Sequence, residues 1–208
     1  MKDQYVYLMG RGLYVNLTNR CSNRCDFCVR NYDVDPAKKH GFAGYDLWLD
    51  HEPSAQEVID RARAVLDAHL EVEEVVFCGY GEPTYRVEQL CAVADFAHER
   101  GLKTRLNTNG QGNAINSRDI TDDIVSHIDS IGVSLNATDA KKYDAICHSE
   151  WGERGFDLML AFAEECVKKG GNVSLSVVDI IGREEIAKAR TIAEKIGAKL
   201  RVRKMIDG

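Results

Sequence analysis

Six strand-like segments alternating with helical stretches restrict this 208-residue chain to a parallel sheet wrapped by helices. The expected strands are Leu13–Thr18, Glu74–Cys78, Lys103–Asn107, Ser130–Asn136, Asn172–Asp179 and Lys199–Arg203. Between them run apolar stripes at helical spacing. They are Val58, Ala62, Val65 and Leu66 after a Ser54 cap; Val87, Leu90, Cys91 and Ala94; and Ile120, Ile124 and Ile128 after a Ser117 cap. Met159, Leu160, Ala163, Cys166 and Val167 form a fourth, and Ile186, Ala189, Ala193 and Ile196, closed by Gly197, a fifth. This order describes one domain over residues 1–208, a partial (β/α)6 barrel of TIM type with a parallel six-stranded sheet; a closed barrel needs eight strands.

Parallel strands covered on both faces read as continuous apolar runs. These strands alternate instead. Val15 and Leu17 alternate with Tyr14, Asn16 and Thr18; Ile131, Val133 and Leu135 with Gly132, Ser134 and Asn136; Leu200 and Val202 with Lys199, Arg201 and Arg203. A half-solvated antiparallel sheet gives the same pattern, but the intervening helices argue against hairpins. The apolar sets then meet the helices, and the polar sets line a concave cavity.

The segment after the first strand carries Cys21, Cys25 and Cys28 in CxxxCxxC spacing. Three thiolates hold three irons of a [4Fe–4S] cube, whose full protein set is usually four. With no fourth cysteine close by, one iron stays open to an exogenous ligand. Zinc remains an alternative, but it wants a fourth ligand and only His40 lies near. A disulfide framework does not suit seven cysteines in a chain long enough to build its own core.

The triplet, with Phe27 just before its last cysteine, resembles the signature of the radical SAM enzymes. The resemblance implies that S-adenosylmethionine chelates the open iron, accepts an electron and yields a 5′-deoxyadenosyl radical that abstracts a substrate hydrogen. Cys78-Gly79-Tyr80-Gly81-Glu82-Pro83 resembles the family's GGE motif, with Tyr80 in place of the first glycine. That segment, Tyr80, Gly81 and Glu82, is implied to take the methionine amino group through carbonyls and the acidic side chain. Asn107, Asn109, Ser134 and Asn136 are implied to hold the ribose hydroxyls and methionine carboxylate, with Val177 or Val178 against adenine. Asn109-Gly110 also reads as a tight turn.

Residues 29–53 form a long connection of the kind that shapes a substrate site. Arg30, Asn31, Tyr32, Tyr45 and Trp48 suit a planar polar ligand, although Trp48 and Leu49 equally suit a plug on the barrel. Asn16, Arg105, Arg201 and Arg203 fall on the inward face. Inward arginines need an anion, either internal acids such as Glu82 or Asp179, or the methionine carboxylate or a substrate phosphate. Cys78, Cys91 and Cys166 read as small core hydrophobes, and Cys147, in a loop beside His148, as a candidate hydrogen-atom donor.

A formal charge of −6 argues against a phosphate-backbone footprint, and no stretch is apolar enough to span a membrane. With no secretory h-region at Met1–Gln4, the expected setting is a reducing cytoplasm. Tyr14–Cys21, Phe77–Pro83, Arg105–Gly110, Ser134–Asn136 and Lys199–Arg203 together resemble the TatD-associated radical SAM subgroup. That resemblance implies a lyase releasing queuine from queuosine or its 5′-phosphate for tRNA salvage. It also implies a flavodoxin- or ferredoxin-type electron donor and a functional link to a TatD-type hydrolase. The alternatives are modification of a peptide or glycyl-radical enzyme and, from another class, an iron–sulfur electron carrier or redox sensor.

Overall fold

The computed structural model describes residues 3–30 and 44–204. Its sheet has seven strands in chain order: β1 (Val6–Met9), β2 (Gly12–Val15), β3 (Glu74–Phe77), β4 (Lys103–Thr108), β5 (Ser130–Ser134), β6 (Val173–Val178) and β7 (Lys199–Arg203). Strands β2 to β7 are parallel and are the six expected. The six-stranded expectation is corrected by β1, which pairs antiparallel with β2 through a hairpin whose Gly10 sits at φ 59°. The sheet is open, with β1 and β7 at its edges.

Helices α1 (Ala55–Ala68), α2 (Val87–Glu99), α4 (Thr121–His127), α6 (Arg154–Lys168) and α7 (Arg183–Ile196) supply the crossovers, and two further ones, α3 (Gly112–Ile115) and α5 (Ala140–Cys147), lie at the strand ends. Ser54 and Glu57 close a capping box on α1: the Glu57 N–H donates to Ser54 Oγ at 3.3 Å, and the Ser54 N–H to Glu57 Oε2 at 2.9 Å. Gly197 ends α7 at φ 77°. Ser117 caps nothing. It is exposed at φ 51°, and α4 begins instead where Asp119 accepts the Thr121 N–H at 2.8 Å.

The alternation decides which face does what. Leu13, Val15, Val75, Phe77, Leu106, Ile131, Val133, Leu175 and Val177 are buried against the helices in one core. Strand register places Tyr14, Val76, Arg105 and Ser130 in line on the other face. Ser176 and Arg201 stand side by side on that face, as do Val178 and Arg203. Val202 belongs to the helix side by alternation, yet it remains 41% exposed because β7 is an edge.

Candidate functional site

The cysteine loop leaves β2 at its C-terminal end, where parallel barrels place their active sites. Its backbone is zipped onto the end of α5: the Arg24 N–H donates to Cys147 O at 2.8 Å and the Asp26 N–H to Ile146 O at 3.1 Å. His148 Nε2 meets Asp26 Oδ1 at 2.7 Å. Beneath the loop lies a buried polar network. Ser22 Oγ donates to Gln111 Oε1 at 2.7 Å and receives Asn109 Nδ2 at 2.8 Å. Tyr143 OH accepts from Asn23 Nδ2 at 3.0 Å and from Gln111 Nε2 at 3.1 Å.

Glu82 is the hub on the β3 side. Its carboxylate accepts the Thr84 N–H at 3.1 Å, Thr84 Oγ1 at 2.8 Å, Thr108 Oγ1 at 2.7 Å and the Asn109 N–H at 2.6 Å. Burial lifts its pKa above the ordinary 4.5 despite those donors. The oxygens expected to meet an ammonium are thus occupied within the chain. The Gly79–Gly81 turn runs against the end of β2. A Cβ on Gly81 would stand 2.1 Å from Thr18 O and 2.7 Å from Arg20 O, and one on Gly79 would stand 2.1 Å from Asn16 Oδ1. Only glycine permits that approach.

The remaining expected residues divide into two groups. Asn107 and Ser134 are half-buried on the cavity face. Asn107 Oδ1 accepts from Arg105 Nη1 at 3.3 Å, and its amide is hydrogen-bonded to the Cys78 thiol. Asn136 is buried at φ 57°; its Nδ2 donates to Cys147 Sγ at 3.4 Å while its Oδ1 has no partner among the described residues. Arg201 is exposed and Arg203 half-buried. Phe27 is half-buried in the cysteine loop. Arg30 donates to Asn19 O at 2.9 Å and lies over the Trp48 ring at 5.7 Å. Trp48 meets Tyr80 edge-on at 5.2 Å, and Tyr45 meets Tyr7 at 5.4 Å. Tyr7 and Tyr14 also pair at 5.3 Å, in an aromatic cluster on the β1–β2 side in which Tyr7 is buried and Tyr14 and Tyr45 are half-buried.

Other residues lie away from the roles expected of them. Val177 is fully buried against the helices, and Val178 is the valine on the cavity face. Asn16 is a fully buried strut: Nδ2 donates to Leu47 O at 2.7 Å, and Oδ1 accepts the Tyr80 N–H at 3.3 Å. Asn109 serves the cysteine loop. Cys147 is buried at the end of α5, not in a loop, and is hydrogen-bonded to Cys25. Cys78 faces the cavity instead of the core. Arg105 is held by Glu74, with contacts of 2.8 and 3.1 Å, and by Tyr14 OH at 3.3 Å. Burial alone would lower its pKa, but Glu74 and Tyr14 hold it above the ordinary value. Asn31, Tyr32 and His40 lie outside the described residues.

Tyr7, Glu74, Gln111 and Tyr143 were not singled out by sequence. Gln111 and Tyr143 carried no motif. Glu74, the first residue of β3, shares its face with Arg105, the third of β4, and that placement was readable from the alternation.

These residues fit an iron–sulfur cube and its cosubstrate. Among the described residues no three His, Cys, Asp or Glu side chains converge on one metal ion, but a cube takes one thiolate per iron. Burial and the Glu82 charge push the Cys21 thiol up to about 12, and the bond to Cys147, with burial, holds Cys25 above the thiol range. Cluster iron offsets this, since a coordinated thiol is deprotonated outright. The unpartnered acceptor of Asn136, at the end of β5, suits a hydroxyl of the cosubstrate.

A family model described as the radical SAM superfamily matches residues 15–196, and the chain belongs to that superfamily. Its members use a [4Fe–4S] cluster and S-adenosylmethionine. The chain is 28% identical over 192 residues to a PqqA peptide cyclase from Methylobacterium sp., covering 90% of this chain and 44% of that protein. It is 28% identical over 123 residues to a Pyrococcus furiosus protein, covering 59% of this chain and 28% of the relative. That relative is named a tungsten-containing aldehyde ferredoxin oxidoreductase cofactor-modifying protein. The chain thus spans less than half of each curated relative. Among solved structures, Streptococcus suis SuiB superposes with a TM-score of 0.68 at 16% identity, over 95% of this chain and 40% of that one; SuiB bound to S-adenosylmethionine superposes at 0.64 and 17% identity, over 93% and 38%. A radical SAM methyltransferase from Sphaerobacter thermophilus gives 0.56 at 15%, over 96% and 68%.

Proposed function

We propose that this radical SAM enzyme acts on a small, planar, anionic substrate, best matched by queuosine or its 5′-phosphate, and releases queuine by breaking the glycosidic bond. The observation that carries the reading is the asymmetry of the sheet face turned away from the helices. Half-buried Tyr14 and Tyr45 pack over a buried Tyr7 on the β1–β2 side, and Arg201 and Arg203 stand on the β7 side. A heterocycle joined to a charged group presents the same two chemistries. Bound at Cys21, Cys25 and Cys28, the cluster with S-adenosylmethionine supplies the radical that abstracts a hydrogen atom.

The chain's own residues then bind and orient. In this reading Ser134 and Asn136 hold the cosubstrate's hydroxyls. The carbonyls of the Tyr80-Gly81 turn take its ammonium, because the Glu82 carboxylate is already satisfied by Thr84, Thr108 and Asn109. A ferredoxin- or flavodoxin-type donor supplies the electron, a TatD-type hydrolase is the associated partner, and residues 1–208 work as one domain in a reducing cytoplasm. No described helix is long and apolar enough to cross a membrane.

A second reading is peptide modification, favoured by the match to the PqqA peptide cyclase along 90% of this chain. One anaerobic experiment separates them. The cluster-loaded, reduced protein is mixed with S-adenosylmethionine and queuosine 5′-phosphate, and 5′-deoxyadenosine and free queuine are followed. Substrate-dependent formation of both supports the lyase. A basal rate unaffected by the nucleotide removes it and leaves peptides as the substrates to try.

A further inference from the structure

Arg105 and Arg203 both lie on the cavity face, and they differ in one respect. Glu74 grips Arg105 through two contacts, so its charge is compensated. Arg203 has no carboxylate in ion-pair range among the described residues, and its buried Nε has no hydrogen-bond partner. Arg203 is the last residue of β7, beside Val178, so it stands at the C-terminal end of the parallel strands, the end from which the cysteine loop leaves β2. Burying a cation this way is unfavourable, and burial draws its pKa below the ordinary 12.5. Among the described residues nothing compensates this group.

Arg201 lies two residues earlier on the same face and is exposed. Side chains two apart on a strand share a face at roughly 6.6 Å. One half-buried and one exposed guanidinium therefore flank a single position at the open β7 edge. Two positive charges match a dianion better than a carboxylate, and a phosphate monoester carries about −1.5 to −2 at neutral pH with three acceptor oxygens for the planar fork.

We propose that Arg203, with Arg201 at the rim, is the receptor for a phosphate monoester on the substrate. This rests on the small-substrate reading above, but it concerns the charged group and not the heterocycle. The site also fixes the direction of entry. The phosphate anchors at β7, and the rest of the molecule extends along the cavity toward the aromatic cluster, passing beneath the cysteine loop.

The test is calorimetric titration of the cluster-loaded protein, saturated with S-adenosylmethionine, using inorganic phosphate, guanosine 5′-monophosphate and guanosine. Arg203→Met is expected to weaken both phosphates by about 10- to 100-fold, the range of a charge-assisted hydrogen bond, and to leave guanosine unchanged. Arg203→Lys should recover part of the loss. Arg203→Met should also melt no lower than wild type, because it removes a cation with no counter-charge among the described residues; if it nevertheless unfolds, Arg203→Gln takes its place. Wild type that binds no phosphate, or variants that bind it unchanged, overturn the assignment. Weakened S-adenosylmethionine binding in the variant also overturns it, by giving the guanidinium to the methionine carboxylate. Phosphate binding that needs Arg203, alongside inert queuosine 5′-phosphate, keeps the site and removes queuosine.

Discussion

The Glu82 carboxylate accepts the Asn109 N–H at 2.6 Å and so ties the end of β3 to the end of β4 directly beneath the cysteine loop. The same carboxylate takes Thr84 and Thr108, and Asn109 passes the connection on to Ser22. The acidic residue of the glycine turn is therefore a structural hub in this chain. Its arrangement explains how a loop with little secondary structure is held in one place.

Because burial raises the folded pKa of Glu82 above 4.5, the folded state keeps a proton that the unfolded state has released. Stability of the cluster-free protein should fall as pH rises from about 4.5 to the folded value, then level off. Glu82→Gln should flatten this slope in urea unfolding followed across pH. An unchanged slope would place the titration elsewhere. Glu82→Ala should destabilise at every pH, by about 1–3 kcal/mol for each donor left buried and unpaired.

Tyr143 joins the loop to the core through one hydroxyl that accepts from both Asn23 and Gln111. Tyr143→Phe keeps the ring and strands the buried Asn23 amide, while Gln111 Nε2 keeps Ser149 Oγ and Gly155 O. We expect a loss of about 1–3 kcal/mol and a lower yield of bound iron after reconstitution. Iron content equal to wild type would show that the loop does not depend on this network.

Gly81 offers the sharpest steric test. An alanine there would place its Cβ against two backbone carbonyls, those of Thr18 and Arg20, which have no rotamer to relieve it. Gly81→Ala should cost at least about 1–3 kcal/mol and abolish S-adenosylmethionine binding. Gly170→Ala is the control: Gly170 sits at φ 87°, but a Cβ there meets no atom within 4 Å, so it should lose about 1 kcal/mol and keep binding.

Cys147 lies beside Cys25 yet belongs to α5 and to the apolar core. If it is packing and not a ligand, Cys147→Ala lowers the melting temperature and leaves iron per chain unchanged. Loss of iron would make it part of the cluster site.

Much of this was legible in the sequence because it depended on period-two alternation. That pattern placed Arg105, Ser134, Arg201 and Arg203 on one face and Val133, Leu135 and Leu175 on the other. It failed where several short elements meet. Cys147 read as a loop residue because α5 is a single eight-residue helix with only Tyr143 and Cys147 buried. Asn16 read as a ligand contact because nothing local reveals that Leu47, some thirty residues on, claims its amide. The β1 hairpin was readable, with Gly10-Arg11-Gly12 between two apolar runs, but its first run is only four residues long. Cys78 was assigned to the core although the alternation of its own strand, opposite to Phe77, placed it on the cavity face.

The central claim is that Cys21, Cys25 and Cys28 hold a cluster at which S-adenosylmethionine is reductively cleaved. The most direct measurement is anaerobic reconstitution of wild type and of the C21A/C25A/C28A triple variant, with iron analysis and 5′-deoxyadenosine counted after reduction. Wild type should bind about four irons per chain and form 5′-deoxyadenosine, and the triple variant should do neither. Equal iron in both proteins, or an intact wild-type cluster that forms no 5′-deoxyadenosine with any substrate offered, would contradict the account.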